Sequence, residues 1–124
     1  MHKVEELKIW QKSIELAKLV YEVVLLLPTD EQYVLTSQIK RSAISISSNI
    51  AEGAGRNSIK EFKQFLSIAN GSAYELQTQL ILTVELDLIP EDNILPIQNL
   101  LIEVQKMNFS LQKNLEGKIL NTQY

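Results

Sequence analysis

The strongest constraint in this sequence is the return of apolar residues at every third or fourth position along four successive stretches, each closed by a proline or a glycine. That spacing draws one apolar face along a helix of 3.6 residues per turn and does not fit a strand, whose period is two. The first stretch carries Leu7, Trp10, Ile14, Ala17, Tyr21, Val24 and Leu27. Pro28 ends it, because the residue before a proline is driven out of the α region. The second carries Leu35, Ile39, Ala43, Ile46 and Ile50 and runs out at Gly53-Ala54-Gly55. Phe62, Phe65, Ala69, Ala73, Leu76, Leu80 and Val84 form the third, closed by Pro90. Ile97, Leu101, Val104, Met107, Leu111 and Leu115 form the fourth, closed by Gly117. Thr29-Asp30-Glu31-Gln32 and Ser58-Ile59-Lys60-Glu61 have the form of capping boxes, a hydroxyl followed three residues on by an acid or amide. The spacing therefore predicts helices over residues 4–27, 30–54, 58–88 and 92–116, a frayed tail over 118–124, and one domain spanning residues 1–124.

Four helices joined by short loops predict an all-α fold, an antiparallel up-down-up-down four-helix bundle. Four glycines and three prolines are too few for the tight turns of a β-sandwich. Asn70-Gly71 is a hairpin dipeptide, but neither flank alternates, so it is read as helical. A glycine inside a helix costs about 1 kcal/mol against alanine, which predicts close approach of a neighbouring helix at Gly71. Leu19 to Leu27 and Leu80 to Ile89 are apolar around the helix rather than along one stripe. The wider apolar surface predicts a subunit contact in preference to a merely crowded bundle centre.

Composition removes several chemistries. Without cysteine there is no disulfide, thiolate metal site or thiol nucleophile. The single histidine, His2, leaves the serines without the usual catalytic base. Paired acids at Glu5-Glu6 and Asp30-Glu31 lack the Glu-x-x-His partners of a di-metal bundle. Gly53-x-Gly55 follows a helix and lacks the ending of a phosphate loop. The chain is expected to be non-enzymatic, with no cofactor and no metal. The longest apolar run, Val23 to Leu27, is far too short to span a bilayer, and the start has no cleavable leader pattern. A cytoplasmic protein without a membrane partner is expected. Asn70-Gly71-Ser72 and Asn108-Phe109-Ser110 are then chance matches to a glycosylation acceptor.

The net charge of −3 argues at first against a polyanion partner. Its placement says otherwise. In an up-down-up-down bundle, residues 19–40 and 72–103 form one end, where nine acidic residues face Lys40 alone, a net −8. The remaining residues hold eleven basic against six acidic side chains, a net +5. Local potential, not net charge, steers an approaching partner.

The middle of the chain carries a pattern. Gln38 to Arg56 reads QIKRSAISISSNIAEGAGR, and Ser58 to Leu76 reads SIKEFKQFLSIANGSAYEL. The positions Gln38, Arg41, Ser45, Ile46, Asn49, Ile50, Ala51, Glu52, Gly53, Gly55 and Arg56 resemble the bacterial 23S rRNA intervening-sequence protein family. So do Phe65, Leu66, Ala69, Gly71, Ser72, Glu75 and Leu76. The resemblance implies a four-helix bundle that assembles as a homopentameric ring, without catalytic activity. It also implies kinship with the accessory proteins of diversity-generating retroelements, where a basic pentamer works with a reverse transcriptase and RNA. Lys40 and Asn70 stand where the family commonly has basic residues, arginine at the first, and Ser47 stands where proline is usual. The first two changes remove guanidinium forks that grip phosphate, and the third predicts a straighter second helix.

The candidate nucleic-acid ligands are Lys40, Arg41, Arg56, Lys60 and Lys63. Gln38, Asn49, Glu52, Gly53, Gly71 and Glu75 are the motif residues read as structural. Glu52 and Arg56 are four apart, which predicts an intrahelical ion pair that competes with phosphate for Arg56. Asn49 is expected to be buried and bonded to a neighbouring helix. Ser42, Ser45 and Ser48 form a small-residue face suited to close packing. Tyr21, Tyr33, Tyr74 and Trp10 are expected in the core rather than as base-stacking platforms. Two functions follow: an RNA- or DNA-associated homo-oligomer using a basic end, or a structural or protein-interaction oligomer with no nucleic-acid role.

Overall fold

A computed structural model of the chain describes residues 3–122, with side chains through residue 118. Among them are four α-helices and no strand: α1 over Lys8–Val23, α2 over Ser37–Ala54, α3 over Ile59–Glu85 and α4 over Glu91–Thr122. Each helix packs on the next in sequence, and α1 closes against α4, so the four enclose one core. The molecule is a helical bundle. The most extensive contact is between α2 and α3.

Helix ends follow local chemistry. Helix α1 stops at Val23 and winds through a tighter 3-10 turn over Val24–Leu26, earlier than the expected Leu27. Leu27 is extended at ψ 146°, as the clash with the Pro28 ring demands. The Thr29 capping box does not form: Thr29 lies inside a 3-10 turn over Thr29–Glu31, and no side chain caps it. A π-helical turn over Gln32–Thr36 then leads into α2, which starts at Ser37 rather than at residue 30. The second box does form, with Ser58 Oγ accepting from the Glu61 N–H at 3.3 Å. Helix α3 ends at Glu85, three residues before the expected Leu88. Asp87 takes the left-handed conformation at φ 58°, with the Asp87 N–H bonded to the Val84 carbonyl and the Leu88 N–H to the Thr83 carbonyl. This is the paired closure of a Schellman motif, with aspartate in the place glycine usually takes. Helix α4 does not stop at Gly117 but continues to Thr122, and it accommodates Pro96 near its start. The tail expected over 118–124 is thus helical through residue 122, and residues 123–124 lie outside the described residues.

The core runs through Leu16, Val20, Ile39, Ala43, Ile46, Ile50, Leu66, Leu76, Leu80, Leu101 and Val104, all essentially inaccessible to solvent. On α2, α3 and α4 these follow the predicted stripes except at Leu66, which is buried where Phe65 was expected; Phe65, Val84, Met107 and Leu111 are half-buried. On α1 the buried face is Ile9, Ser13, Leu16, Val20 and Val23, while the expected Trp10, Ile14 and Ala17 are only half-buried and Tyr21 is exposed. The apolar residues of α1 spread wider than one stripe, opposite a polar side of Lys8, Gln11, Glu15, Lys18 and Glu22, so the packing against α2 and α4, not the spacing, selects which part is buried.

Two glycines exchange roles. A Cβ at Gly53, within α2, would lie 2.7 Å from Phe65 Cβ and 3.0 Å from Phe62 Cδ1, so α2 and α3 approach too closely at Gly53 for a side chain. At Gly71 a Cβ would meet nothing within 4 Å, so the neighbour expected there is not in this chain. Gly55 follows α2 in a right-handed conformation and supplies no anion-binding nest.

Candidate nucleic-acid interface

The five candidate cations fall into two groups. Arg41 and Arg56 are fifteen positions apart, about 22 Å along the α2 direction, so Lys40 and Arg41 do not share a site with Arg56, Lys60 and Lys63.

The second group sits where α2 hands over to α3. Arg56 Nη2 lies 3.0 Å from Glu52 Oε1, and its Nη1 lies 3.6 Å from Glu61 Oε1. Its guanidinium also covers the Phe65 ring, 5.0 Å from the centroid. The predicted Glu52–Arg56 pair is therefore present, and Glu61 extends it across the turn. Surface pairs of this kind contribute at most about 1 kcal/mol, but they fix Arg56 against the protein. Lys63 reaches Glu116 of α4 at 3.7 Å. Lys60 is exposed and makes no ion pair among the described residues. Lys63 also opens onto a groove of about 370 Å³ between α3 and α4, flanked by Lys113, Tyr74 and Phe109.

In the first group, the Lys40 ammonium stands 4.8 Å above the Tyr21 ring, which ties α2 to α1. Arg41 is exposed beside Ser37, Ile44 and Ser45.

The structural motif residues resolve as follows. Gln38 is exposed at the start of α2. Asn49 is half-buried and bonds its own helix, donating to the Ser45 carbonyl at 2.8 Å and to Ser45 Oγ at 3.0 Å. The link to the neighbouring helix is made by Ser45 instead, whose Oγ is 2.7 Å from Ser72 Oγ on α3. An amide four residues on can reach back to a serine of the same face, which removes any need for a second helix. Glu75 is exposed and, among the described residues, unpaired. Of the expected small-residue face, Ser42 is buried and Ser45 touches α3, but Ser48 is exposed, because a spacing of three drifts around a helix of 3.6 residues per turn.

Two further corrections concern aromatic and amide side chains. Tyr33, Tyr74 and Tyr21 are not core residues; they are 86%, 58% and 42% exposed. Tyr33 sits in the π-helical turn, outside any packed helix face. The buried interhelical amide is Asn108, which donates from Nδ2 to the Leu66 carbonyl of α3 at 2.9 Å while its Oδ1 accepts from Gln112. Ser67 Oγ is 3.2 Å from Gln112 Oε1 and completes the chain of contacts. The signal for Asn108 was its place in the apolar series Leu101, Val104, Asn108, Leu111, Leu115: an amide at a core position needs a partner.

Residues 5–110 match the family model of the 23S rRNA-intervening sequence protein. The chain belongs to this family. The match covers α1, α2, α3 and most of α4, including both candidate groups. A crystal structure of a protein of unknown function from the S23 ribosomal protein family of Bacteroides thetaiotaomicron VPI-5482 is 31% identical, with a TM-score of 0.78. The alignment covers 85% of this chain and 98% of that one. No curated protein matches the chain. Among the described residues of this family member, no helix is long and apolar enough to cross a membrane.

Proposed function

We propose that this chain is a non-enzymatic, cytoplasmic subunit of a homo-oligomeric ring of five up-down-up-down bundles, acting as a scaffold. The opposed direction of α3 and α4 is supported by pairs whose numbers rise on one helix and fall on the other: Lys63 with Glu116, Ser67 with Gln112, and Gln77 with Gln105. The observation that carries self-association is apolar surface left uncovered by the single chain. Leu25, Leu26, Tyr33, Val34, Leu82, Leu86 and Leu95 are between 43% and 86% exposed; Leu25, Leu26, Tyr33, Val34 and Leu86 lie in the segments that join α1 to α2 and α3 to α4, Leu82 in the last turn of α3 and Leu95 in the second turn of α4. Large apolar side chains left in water at this number of positions mark a surface that a partner covers. Sedimentation at micromolar concentration is expected to give about 70 kDa, five times the 14.1 kDa subunit. A single species at the subunit mass overturns this reading.

A second reading, contact with RNA or DNA, is favoured by the division of charge. The end that holds Arg56, Lys60, Lys63 and Lys113 carries the net +5, although ion pairs hold Arg56 and Lys63. Lys60, unpaired and exposed, is the cation best placed to meet a phosphate. Binding to duplex DNA should weaken with salt at a log–log slope of about −0.9 per phosphate neutralised. Lys60→Glu should weaken it further, and absence of binding at low salt would sink the reading.

A further inference from the structure

Tyr74 of α3 and Phe109 of α4 are 58% and 65% exposed, and both line the groove of about 370 Å³ between those helices. The groove runs along residues 63–74 of α3 and 105–116 of α4. It is separate from the apolar surface that carries the self-association reading. The nearest members of the two on α3, Tyr74 and Leu82, are eight positions apart, about 12 Å of helix.

The walls of the groove are held in place. Asn108, only 2% exposed, donates to the Leu66 carbonyl and accepts from Gln112, while Ser67 on the opposite wall contacts the same Gln112. At one end Lys63 engages Glu116 at 3.7 Å. Asn70 and Lys113 are not used in this way. Asn70 is half-buried in the groove, and among the described residues its side chain makes no hydrogen bond. Lys113 makes no ion pair among the described residues, and its ammonium stands 5.6 Å from the centre of the Phe109 ring.

We propose that this groove takes one unpaired nucleotide of a single-stranded nucleic acid, with the base against Tyr74 and Phe109, its edge on the Asn70 amide and its phosphate on Lys113. The inference rests on the nucleic-acid reading above and names the site and the form of strand that serve it. Bases stack on exposed aromatic side chains whatever their identity, because every base has a π face. An amide presents a donor and an acceptor side by side, the pattern that adenine meets with N6 and N7. An ammonium next to the aromatic ring sets positive charge beside the stacked base, where the backbone of the strand passes. A volume of about 370 Å³ is near the lower end of ligand pockets, about 300–1,000 Å³, and suits one nucleotide rather than a longer stretch. The nucleotide must be unpaired, since in a duplex the faces of each base are covered by its neighbours. An acidic peptide would satisfy Lys113 and leave both aromatic faces in water.

The test is fluorescence anisotropy at low salt with the full chain and a labelled single-stranded RNA of about eight nucleotides. Wild type is compared with Tyr74→Ala, Phe109→Ala, Tyr74→Phe and Lys60→Glu, and the sedimenting mass of each is recorded. Each alanine variant should weaken binding by about tenfold, the scale of one lost stacking contact. Tyr74→Phe keeps the aromatic face and should stay within about threefold of wild type. Both side chains are exposed, so the urea unfolding midpoints of the variants should match that of wild type. An unlabelled duplex of the same sequence should compete at least about tenfold more weakly than the unlabelled strand. If both alanine variants bind as wild type does while Lys60→Glu binds less, the nucleic-acid reading stands and this inference falls. Equal competition by the duplex overturns the inference in the same way. Absence of binding by strand and duplex alike overturns both. An alanine variant that loses binding only together with a change in sedimenting mass would assign the groove to a subunit contact and overturn the inference. Displacement by adenosine monophosphate as effective as that by the strand, at equal base concentration, would overturn the strand and leave a free nucleotide as the occupant.

Discussion

Leu66→Ala is expected to lower the free energy of unfolding by about 2–5 kcal/mol, the range for removing a fully buried leucine and leaving a cavity. Leu66 is completely inaccessible to solvent on the buried face of α3, and its carbonyl receives the Asn108 amide from α4. The cavity would open beside the one interhelical amide bond to a backbone group seen among the described residues. The two losses are coupled, which places the expected value in the upper half of that range. Urea unfolding at fixed protein concentration measures it, since assembly makes apparent stability depend on concentration. A loss below about 1 kcal/mol would mean that α3 does not sit in a close-packed core.

Gly53→Ala should also destabilise, by about 1–3 kcal/mol, even though alanine favours a helix by about 1 kcal/mol over glycine. The added Cβ meets Phe65 Cβ at 2.7 Å and the Phe62 carbonyl oxygen at 3.2 Å. Neither atom can be rotated away, because both are fixed by the α3 backbone. The helices must separate, and packing along their length suffers. Thermal unfolding of the variant is the measurement, and an increase in stability would show that the contact between α2 and α3 yields easily. The same experiment at Gly71 meets no atom of the chain, so the two glycines report on different contacts: one within the bundle, the other on its surface.

Most of the stripes on α2, α3 and α4 were legible because residues at every third or fourth position there fall on the face that packs against the neighbouring helices. On α1 the apolar residues spread wider than one stripe, so the spacing alone offered both Trp10, Ile14 and Ala17 and the face that is buried, Ile9, Leu16, Val20 and Val23. Choosing among its faces needs α2 and α4. Ser58 and Thr29 begin similar four-residue patterns, but only Ser58 stands extended before a helix; Thr29 follows Pro28 directly into a 3-10 turn. A capping pattern states a capacity, and the backbone conformation of its first residue decides its use. The Glu52–Arg56 pair was legible from spacing alone, although Arg56 stands two residues past the end of α2, because Gly55 keeps the right-handed turn going. Its extension to Glu61 and Phe65 depends on how tightly the chain reverses after Ala54.

For the candidate site, residue types and sequence distances located the cations but not their company. Lys40 over Tyr21 and Lys63 with Glu116 are contacts between helices far apart in sequence. So is the bond from Asn108 to Leu66.

By itself the sequence determined the number and order of the helices, most of the core faces of three of them, the Glu52–Arg56 ion pair and the family. Each of these depends on residues within a few turns of one another, where helical geometry sets the distance. Only the tertiary structure decided which glycine marks the close helix approach, which tyrosines are exposed, and that the five candidate cations form two separate groups. Those outcomes depend on which helix faces meet, and local periodicity leaves that choice open wherever a helix offers more than one apolar face.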